Sequence, residues 1–316
     1  MSSSKDSQSQ KFHDRSAPTV SVIMNCLNCE KYLREAIDSV FAQTYEDWEI
    51  IFWDNASTDN SSNIANSYDN RVKYYLALET VSLGKARNFA LEKASGEYIA
   101  FLDCDDVYSP DKLQKQVKLM HNKNYAMCYG SAVIINERGK EIKRNIVKNK
   151  SGNIFSNLLM HYEINMQTTM LRRDFVVNNQ LHFNDGLSYC PDYNLFMTIA
   201  SKADVGVIID VIAKYRIVSN SLSKKTINIA GSEVKYTLDE LLENAPILQK
   251  NFPKEFVHAY AKARYYEMIK NIVDGNRYYA IYLLKSIFFV RYEYSIIMIL
   301  LIMHVPLKMV LKILNR

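Results

Sequence analysis

The stretch YIAFLDCDD, residues 98–106, places an apolar run directly before three acidic side chains. A short apolar run of this kind is typical of a strand buried on both faces of a parallel sheet. Asp103, Asp105 and Asp106 follow the run within four residues. Carboxylates this close repel one another, and a divalent cation or a basic side chain is needed to offset their charge. The alternative interpretation is an acidic turn that caps the next helix.

Further apolar runs occur at residues 19–24 (TVSVIM) and 48–53 (WEIIFW), with helical spacing of apolar residues between them. Strands that alternate with helices predict βαβ units, and therefore an α/β fold with a mostly parallel sheet and flanking helices. In such sheets ligands bind beyond the carboxyl ends of the strands. Asn25 and Asn28 follow the first predicted strand, and Asp54 follows the second. These residues and the acidic motif are therefore predicted to meet at one edge.

The chain divides into three predicted parts. Residues 1–17 are rich in Ser, Gln and Lys without an apolar run, which predicts a disordered N-terminus. Residues 18–225 contain the strand and helix pattern and form the predicted main domain. Residues 226–316 are predicted to be a helical C-terminal region.

Positive charge is concentrated near the C-terminus. Residues 254–316 contain 10 Lys and Arg against 4 Asp and Glu, whereas the preceding 253 residues contain 29 against 30. A nucleic-acid-binding domain would more often have its basic patch on the folded domain, so we expect no nucleic-acid partner. Apolar segments interspersed with Lys and Arg in residues 278–316 instead favour an anionic membrane surface. The alternative is a helical bundle packed on the main domain or on a second chain, so self-association is left open.

The cysteine content favours a reducing compartment. The number is odd and no secretory signal is present at the start of the chain. Cys26 and Cys29 form a Cys-x-x-Cys pair, but no second Cys or His pair with ligand spacing accompanies it. The sequence therefore does not predict a zinc site. The cysteines are Cys26, Cys29, Cys104, Cys128 and Cys190.

Four other polar residues have both a chemical and an ordinary interpretation. Asp54 could bind a nucleobase or ribose, or form a solvated turn. Arg87 could neutralise the acidic motif or a diphosphate, or lie on a helix surface. Asp192 begins a predicted helix and is either a general base or a helix cap. Arg216 precedes a Ser-rich segment that either closes over a diphosphate or is a plain surface loop.

Taken in order, the motifs TVSVIMNCLN, DNASTD, SLGKARNFAL, ASGEYIAFLDCDD, SPDKL, PDYNLF and YRIVSNSLS resemble those of the family-2 glycosyltransferases. The resemblance covers roughly residues 18–223. It implies a GT-A fold, a nucleotide-sugar donor (most often a UDP-sugar), a Mn²⁺ or Mg²⁺ cofactor, and inversion at the anomeric carbon. The acceptor would be a glycan or lipid-linked oligosaccharide in cell-surface polysaccharide synthesis. The enzyme would then work in the cytoplasm, peripherally bound to the inner face of the cell membrane.

The resemblance also implies roles for individual residues. Asp54 corresponds to the acid that contacts uracil. Asp103 and Asp105 correspond to the DXD pair. Asp105 is expected to be the main metal ligand, and Asp103 is expected both to ligate the metal and to bind the nucleotide sugar. Asp192 corresponds to the base that deprotonates the acceptor hydroxyl. The remaining residues expected to bind the nucleotide sugar are Asn25, Asn28, Arg87 and Arg216.

Three positions depart from the family pattern. Asn55 replaces the second acid after the uracil-contacting residue, and Pro191 replaces the acid before the base. Val218 stands where the family often has a His, which puts coordination by that loop in doubt. The alternatives to this function are a processive polysaccharide synthase, a sugar nucleotidyltransferase and a non-catalytic nucleotide-sugar-binding scaffold. The first usually has a Gln-x-x-Arg-Trp motif and the second a Gly-rich loop after the first strand, and neither motif occurs here.

Overall fold

A mixed sheet forms the centre of the molecule in the computed structural model, which describes residues 17–219 and 226–287, together with 290 and 299. Its strands follow the order β3-β2-β1-β4-β8-β6-β9-β5, and β7 pairs with β6. The strands are β1 (Val20–Cys26), β2 (Trp48–Asp54), β3 (Val72–Leu76), β4 (Tyr98–Phe101), β5 (Val107–Tyr108), β6 (Met127–Ile135), β7 (Glu141–Asn145), β8 (Met170–Arg172) and β9 (Val205–Arg216).

The strands β3, β2, β1 and β4 are parallel to one another. Cys26 at the end of β1 pairs with Asp54 at the end of β2, so these carboxyl ends lie at the same edge of the sheet. Antiparallel pairing of β8 with both β4 and β6 joins this half to the long parallel pair β6 and β9. The predicted α/β fold with a mostly parallel sheet is confirmed.

Helices cover both faces of the sheet. Successive side chains of a strand point to opposite faces, so apolar side chains on both faces need a layer of helices to bury them. Met24 packs with Leu33 and Ile37 on one face, whereas Ile23 belongs to the core on the other face. The helices are α1 (Glu30–Phe41), α2 (Ser61–Asn66), α3 (Leu83–Lys93), α4 (Lys112–Asn122), α5 (Phe155–Met160), α6 (Arg173–Asn178), α7 (Pro191–Lys202), α8 (Ala230–Asn244), α9 (Ile247–Asn251), α10 (Pro253–Val273) and α11 (Arg277–Ile287).

The helices after residue 226 share the core of the sheet. Leu238 of α8 and Phe256 of α10 are buried in the same cluster as Phe101 of β4 and Phe196 of α7. A Cβ added to Gly231 would lie 2.7 Å from the carbonyl oxygen of Ala263, so α8 and α10 are in close backbone contact. The described part of this region is therefore mostly helical, as predicted. Its first helices are packed on the main domain.

Two sequence predictions concern segments that fall largely outside the described residues. These are the disordered N-terminus, of which residues 1–16 are not described, and the apolar C-terminal tail, of which most residues after 287 are not described. Within the described part of the chain, none of the helices combines the length and the apolar character needed to cross a bilayer.

Candidate active site

A cleft of about 850 Å³ lies at the carboxyl edge of the parallel strands. One wall comes from the loops that follow β1 and β4, and the opposite wall from the start of α7 and from α10. The cleft brings together most of the site residues predicted from the sequence. Those that line it are Asn25, Asn28, Arg87, Asp103, Asp105, Asp192 and Arg216.

Asp103 is held in place by two neighbours. Its carboxylate Oδ1 is 3.3 Å from Nη2 of Arg87, and its Oδ2 accepts a 2.5 Å hydrogen bond from Nε2 of Gln167. The backbone N–H of Asp103 donates to Oε1 of the same Gln167 at 2.7 Å. The Arg87 side chain is only 6% exposed. A buried guanidinium needs a carboxylate partner, so this ion pair fixes both the loop and the helix α3.

Asp105 has a different environment. No other described residue makes a hydrogen bond or ion pair with its carboxylate, although the side chain lines the cleft. Burial, and then the negative charge of Asp103, raise the pKa of Asp105 to about 6. A carboxylate that is partly desolvated and lacks a protein partner gains most from a cation. Asp105 is therefore the acid of this motif best suited to ligate a metal from the cleft.

Asp106 is buried and is not among the described residues that line the cleft, so it is less suited to ligate a metal there. It is 1% exposed, and its Oδ1 accepts a 2.6 Å hydrogen bond from the backbone N–H of Arg216, whereas Oδ2 has no hydrogen-bond partner among the described residues. Burial raises the pKa of Asp106 well above its ordinary value. Asp106 is therefore separated from the cleft by burial, which distinguishes it from the other two acids of the motif.

Arg216 lines the cleft, but most of its guanidinium group is already in contact with other residues of the protein. Its Nη2 donates to Oε2 of Glu35 at 2.7 Å, and its Nε donates to the backbone carbonyl of Asp105 at 2.8 Å. Its guanidinium also lies 4.5 Å from the ring centroid of Tyr32. These contacts position the acidic loop, and a contact from Arg216 to a diphosphate stays a prediction. Val218 also lines the cleft, whereas residues 220–225 of the Ser-rich segment lie outside the described residues.

Asp54 is not among the described residues that line the cleft. It is fully buried, and its two carboxylate oxygens accept hydrogen bonds from the backbone N–H of Ser57 at 2.8 Å and from the hydroxyl of Tyr74 at 2.7 Å. This arrangement organises the turn after β2. A carboxylate oxygen of Asp54 would have to accept a second hydrogen bond in order to contact a nucleobase. The predicted contact of Asp54 with uracil stays a prediction.

Asn25 and Asn28 differ in how much of their hydrogen-bonding capacity is used. Asn28 adopts a positive φ of 56°, and its Oδ1 accepts a 2.8 Å hydrogen bond from the backbone N–H of Thr58. Asn25 lines the cleft, and its buried Nδ2 has no hydrogen-bond partner in the part of the chain that the structure describes. A buried amide without an acceptor costs about 1–3 kcal/mol, and an acceptor atom of a bound ligand would remove that cost.

Asp192 is the second residue of α7, where the helix dipole favours a negative charge. Burial raises its pKa, and the nearby positive charge of Arg87 opposes the rise. A carboxylate with a raised pKa is a stronger base than one in water. The location and the raised pKa of Asp192 both fit the general-base role predicted from the sequence. That role stays a prediction.

Two residues that hold the site together, Gln167 and Glu233, are not indicated by any motif or pattern in the sequence. Gln167, described above, holds Asp103 from 64 positions away. Glu233 of α8 is 7% exposed and accepts hydrogen bonds from three successive backbone N–H groups, those of Ser188 (2.7 Å), Tyr189 (2.8 Å) and Cys190 (3.0 Å). Glu233 thereby fixes the segment that leads directly into Asp192. A Gln in a loop and a Glu on a helix are ordinary in any sequence, so only the tertiary contacts distinguish them.

Residues 21–179 match the model of the Glycosyl transferase family 2. The chain is 33% identical over 211 residues, which are 65% of this chain and 79% of the relative, to the UDP-Glc:alpha-D-GlcNAc-diphosphoundecaprenol beta-1,3-glucosyltransferase WfgD of Escherichia coli. It also matches uncharacterized glycosyltransferases of Rickettsia, and it spans only about a third of their length.

Two solved structures are similar in fold. TarS 1–349 of S. aureus in complex with UDP-GlcNAc superposes with a TM-score of 0.58 at 16% identity, over 88% of this chain and 90% of that one. The mannosyltransferase PcManGT of Pyrobaculum calidifontis, in complex with GDP-Man and Mn²⁺, gives a TM-score of 0.58 at 18% identity, over 86% and 75% of the two chains. The predicted GT-A fold is thereby confirmed, and the chain belongs to the Glycosyl transferase family 2.

Proposed function

We propose that this protein is an inverting, metal-dependent glycosyltransferase that moves a sugar from a UDP-sugar to a hydroxyl group of a lipid-linked glycan in cell-surface polysaccharide synthesis. The observation that carries the proposal is the shared cleft, in which Asp105 lines one wall and Asp192 begins the helix on the other. One carboxylate is thus available for a cation and the second for a proton. Membership of the family and the printed activity of WfgD support the same reaction class.

The donor would occupy the side of the cleft formed by the loops after β1 and β4. The unpartnered amide of Asn25 provides a donor for a carbonyl or phosphate oxygen of the nucleotide. Asn28 holds its loop against Thr58, and Arg87 places positive charge beside Asp103. The UDP-GlcNAc complex of TarS supports a uridine nucleotide, whereas PcManGT was solved with GDP-Man.

The residues present fit a divalent cation. Carboxylate oxygens are the ligands that Mg²⁺ and Mn²⁺ prefer, and such ions commonly bind through one or two carboxylates and substrate phosphates. Asp105 would hold the ion, with Asp103 beside it. When bound, the cation offsets the negative charge that develops on the departing nucleoside diphosphate.

The transfer step requires a base on the acceptor side. Asp192 accepts the proton of the acceptor hydroxyl while that oxygen forms a bond to the anomeric carbon. The bond from this carbon to the diphosphate oxygen breaks on the opposite face, so a single displacement inverts the configuration. Burial keeps water from solvating Asp192 and raises its pKa, which makes proton transfer to it more favourable.

The acceptor would enter beside α10. Tyr162 and Tyr193 lie with their rings 4.8 Å apart near the base, and Tyr189, Lys262 and Tyr266 line the same side of the cleft. Aromatic faces with hydroxyl groups offer both apolar contact and hydrogen bonds to a glycan. The acceptor side therefore includes residues from beyond position 226. We propose residues 18–225 together with the first C-terminal helices as the catalytic unit.

We expect Asp105→Ala to abolish metal-dependent transfer, because the diphosphate loses the cation held by this carboxylate. Transfer from a UDP-sugar would be measured with Mn²⁺, with Mg²⁺ and after EDTA treatment. Asp174→Ala, which removes an exposed acid on α6, is the matched control and should retain activity. Wild-type turnover that continues undiminished in EDTA would contradict the metal requirement.

We expect Asp192→Asn to retain nucleotide binding and to lower the transfer rate by about 10²-fold or more, the usual scale for loss of a general base. The amide keeps the size of the side chain but cannot accept the proton. Calorimetric UDP binding and the transfer rate would be measured on the same preparation. Near-normal transfer by a correctly folded variant would assign the base to another residue.

We expect Glu233→Gln to lower the transfer rate by about 10- to 100-fold, the scale of a small misplacement of a catalytic group, while UDP affinity stays unchanged. A neutral amide oxygen is a weaker acceptor for the three N–H groups before Asp192. Glu243→Gln, an exposed position on the same helix, is the control. Equal kcat values for the two variants would show that Glu233 does not position the base.

We expect residues 278–316 to bind anionic membranes, which would place the enzyme peripherally on the cytoplasmic face of the cell membrane. Each Lys or Arg near an anionic surface contributes about 1 kcal/mol, and screening weakens that contribution at high salt. Flotation with anionic liposomes at low and high salt measures the binding, and neutral liposomes are the control. Failure to float at low salt would exclude the membrane role, and retention after carbonate would indicate a spanning helix instead.

A further inference from the structure

Three cysteine sulfurs meet beside the proposed donor site. Cys26 ends β1, Cys29 precedes the first residue of α1, and Cys104 follows β4. Their Sγ atoms all lie within 4.8 Å of one another. The spacing in the sequence does not identify Cys104 as a partner of the Cys-x-x-Cys pair, because Cys104 is 75 positions beyond Cys29. The parallel pairing of β1 and β4 brings it there.

We propose that Cys26, Cys29 and Cys104 bind one Zn²⁺ ion as thiolates. Thiolates are the ligands that zinc binds most readily in proteins, and three protein ligands with one open position form an ordinary zinc coordination. Cys29 and Cys104 line the cleft, whereas Cys26 is 1% exposed beneath them. The fourth position therefore faces the cleft, where a water molecule or a ligand oxygen can fill it.

Two of the three sulfurs have hydrogen-bond donors beside them, whereas the Cys104 thiol donates to the backbone carbonyl of Asn25 at 3.3 Å and would give up that bond on binding zinc. The backbone N–H of Leu27 donates to Sγ of Cys29 at 3.1 Å, and the hydroxyl of Ser57 lies 3.6 Å from Sγ of Cys26. Cys29 also lies at the N-terminus of a 12-residue helix, where the dipole favours negative charge. On binding, the ion replaces the remaining thiol protons, which pass to solvent.

The geometry needs only a small adjustment to accept the ion. Zn–S bonds of about 2.3 Å place two sulfurs of a tetrahedral site about 3.8 Å apart. The Cys26 and Cys29 sulfurs are 2.7 Å apart, so the ion would separate them by roughly 1 Å. A disulfide would use only two of the three sulfurs, whereas a metal uses all of them.

A zinc ion here would connect the two loops that form the donor side of the cleft. Cys104 lies between Asp103 and Asp105, and Asn25 and Asn28 each adjoin one of the other two cysteines. The ion would thus fix the spacing between the acidic motif and the loop after β1. It is a different site from the one at Asp105, since its ligands are sulfur rather than oxygen.

The test uses the full-length reduced protein, prepared without oxygen, and does not require activity. We expect binding of one Zn²⁺ per chain, and replacement by Co²⁺ should give the intense near-ultraviolet absorption of cobalt–thiolate bonds. Cys26→Ser, Cys29→Ser and Cys104→Ser should each lose most of the metal and this absorption. The matched controls Cys128→Ser and Cys190→Ser change buried cysteines outside the cluster and should retain both.

Two further measurements separate this site from the proposed Asp105 site. Asp105→Ala should retain the cobalt–thiolate absorption even if its transferase activity is lost. Bound zinc should raise the thermal midpoint of the wild type, since a ligand stabilises the state that binds it, but not that of Cys104→Ser. The proposal is overturned if the reduced protein binds no zinc or if cobalt gives no thiolate absorption.

Discussion

Repulsion among three carboxylates within four residues is the constraint on which the rest of the site depends. The structure resolves it by giving each acid a different environment. Asp103 pairs with the buried Arg87, and Asp106 is buried against the backbone of Arg216. Only Asp105 is left to face the cleft without a protein partner among the described residues. A motif that looks uniformly acidic in sequence thus becomes one paired, one buried and one available carboxylate.

The same interactions connect the two walls of the cleft. Arg87 pairs with Asp103 on the donor side, and its charge also opposes the rise in the pKa of Asp192 on the other side. The helix that contains Arg87 is packed closely against the segment before Asp192, since a Cβ on Gly84 would lie 2.8 Å from the carbonyl oxygen of Asn184. A shift of either wall would therefore change both the acidic motif and the base.

The parts of the fold and site that depend on local pattern could be predicted from the sequence. Strand and helix periodicity is local, and it was enough to place Asp103 and Asp105 at a strand end and Asp192 at a helix start. The contacts of Gln167 and Glu233 could not be predicted, because they join segments about 40 to 65 positions apart. Nothing in the spacing of apolar residues indicates which polar side chain a distant loop will meet.

The contact from Glu233 has a consequence for the order in which the enzyme is made. Synthesis proceeds from the N-terminus, so the parallel half of the sheet and the acidic motif emerge from the ribosome well before α8. The segment before Asp192 lacks its carboxylate acceptor until Glu233 has emerged and α8 has packed. A nascent chain would therefore place the acidic motif first and fix the position of Asp192 later. Chains interrupted between these two stages would contain the parallel half of the sheet with its acidic motif, but the segment before Asp192 would lack the carboxylate that fixes it.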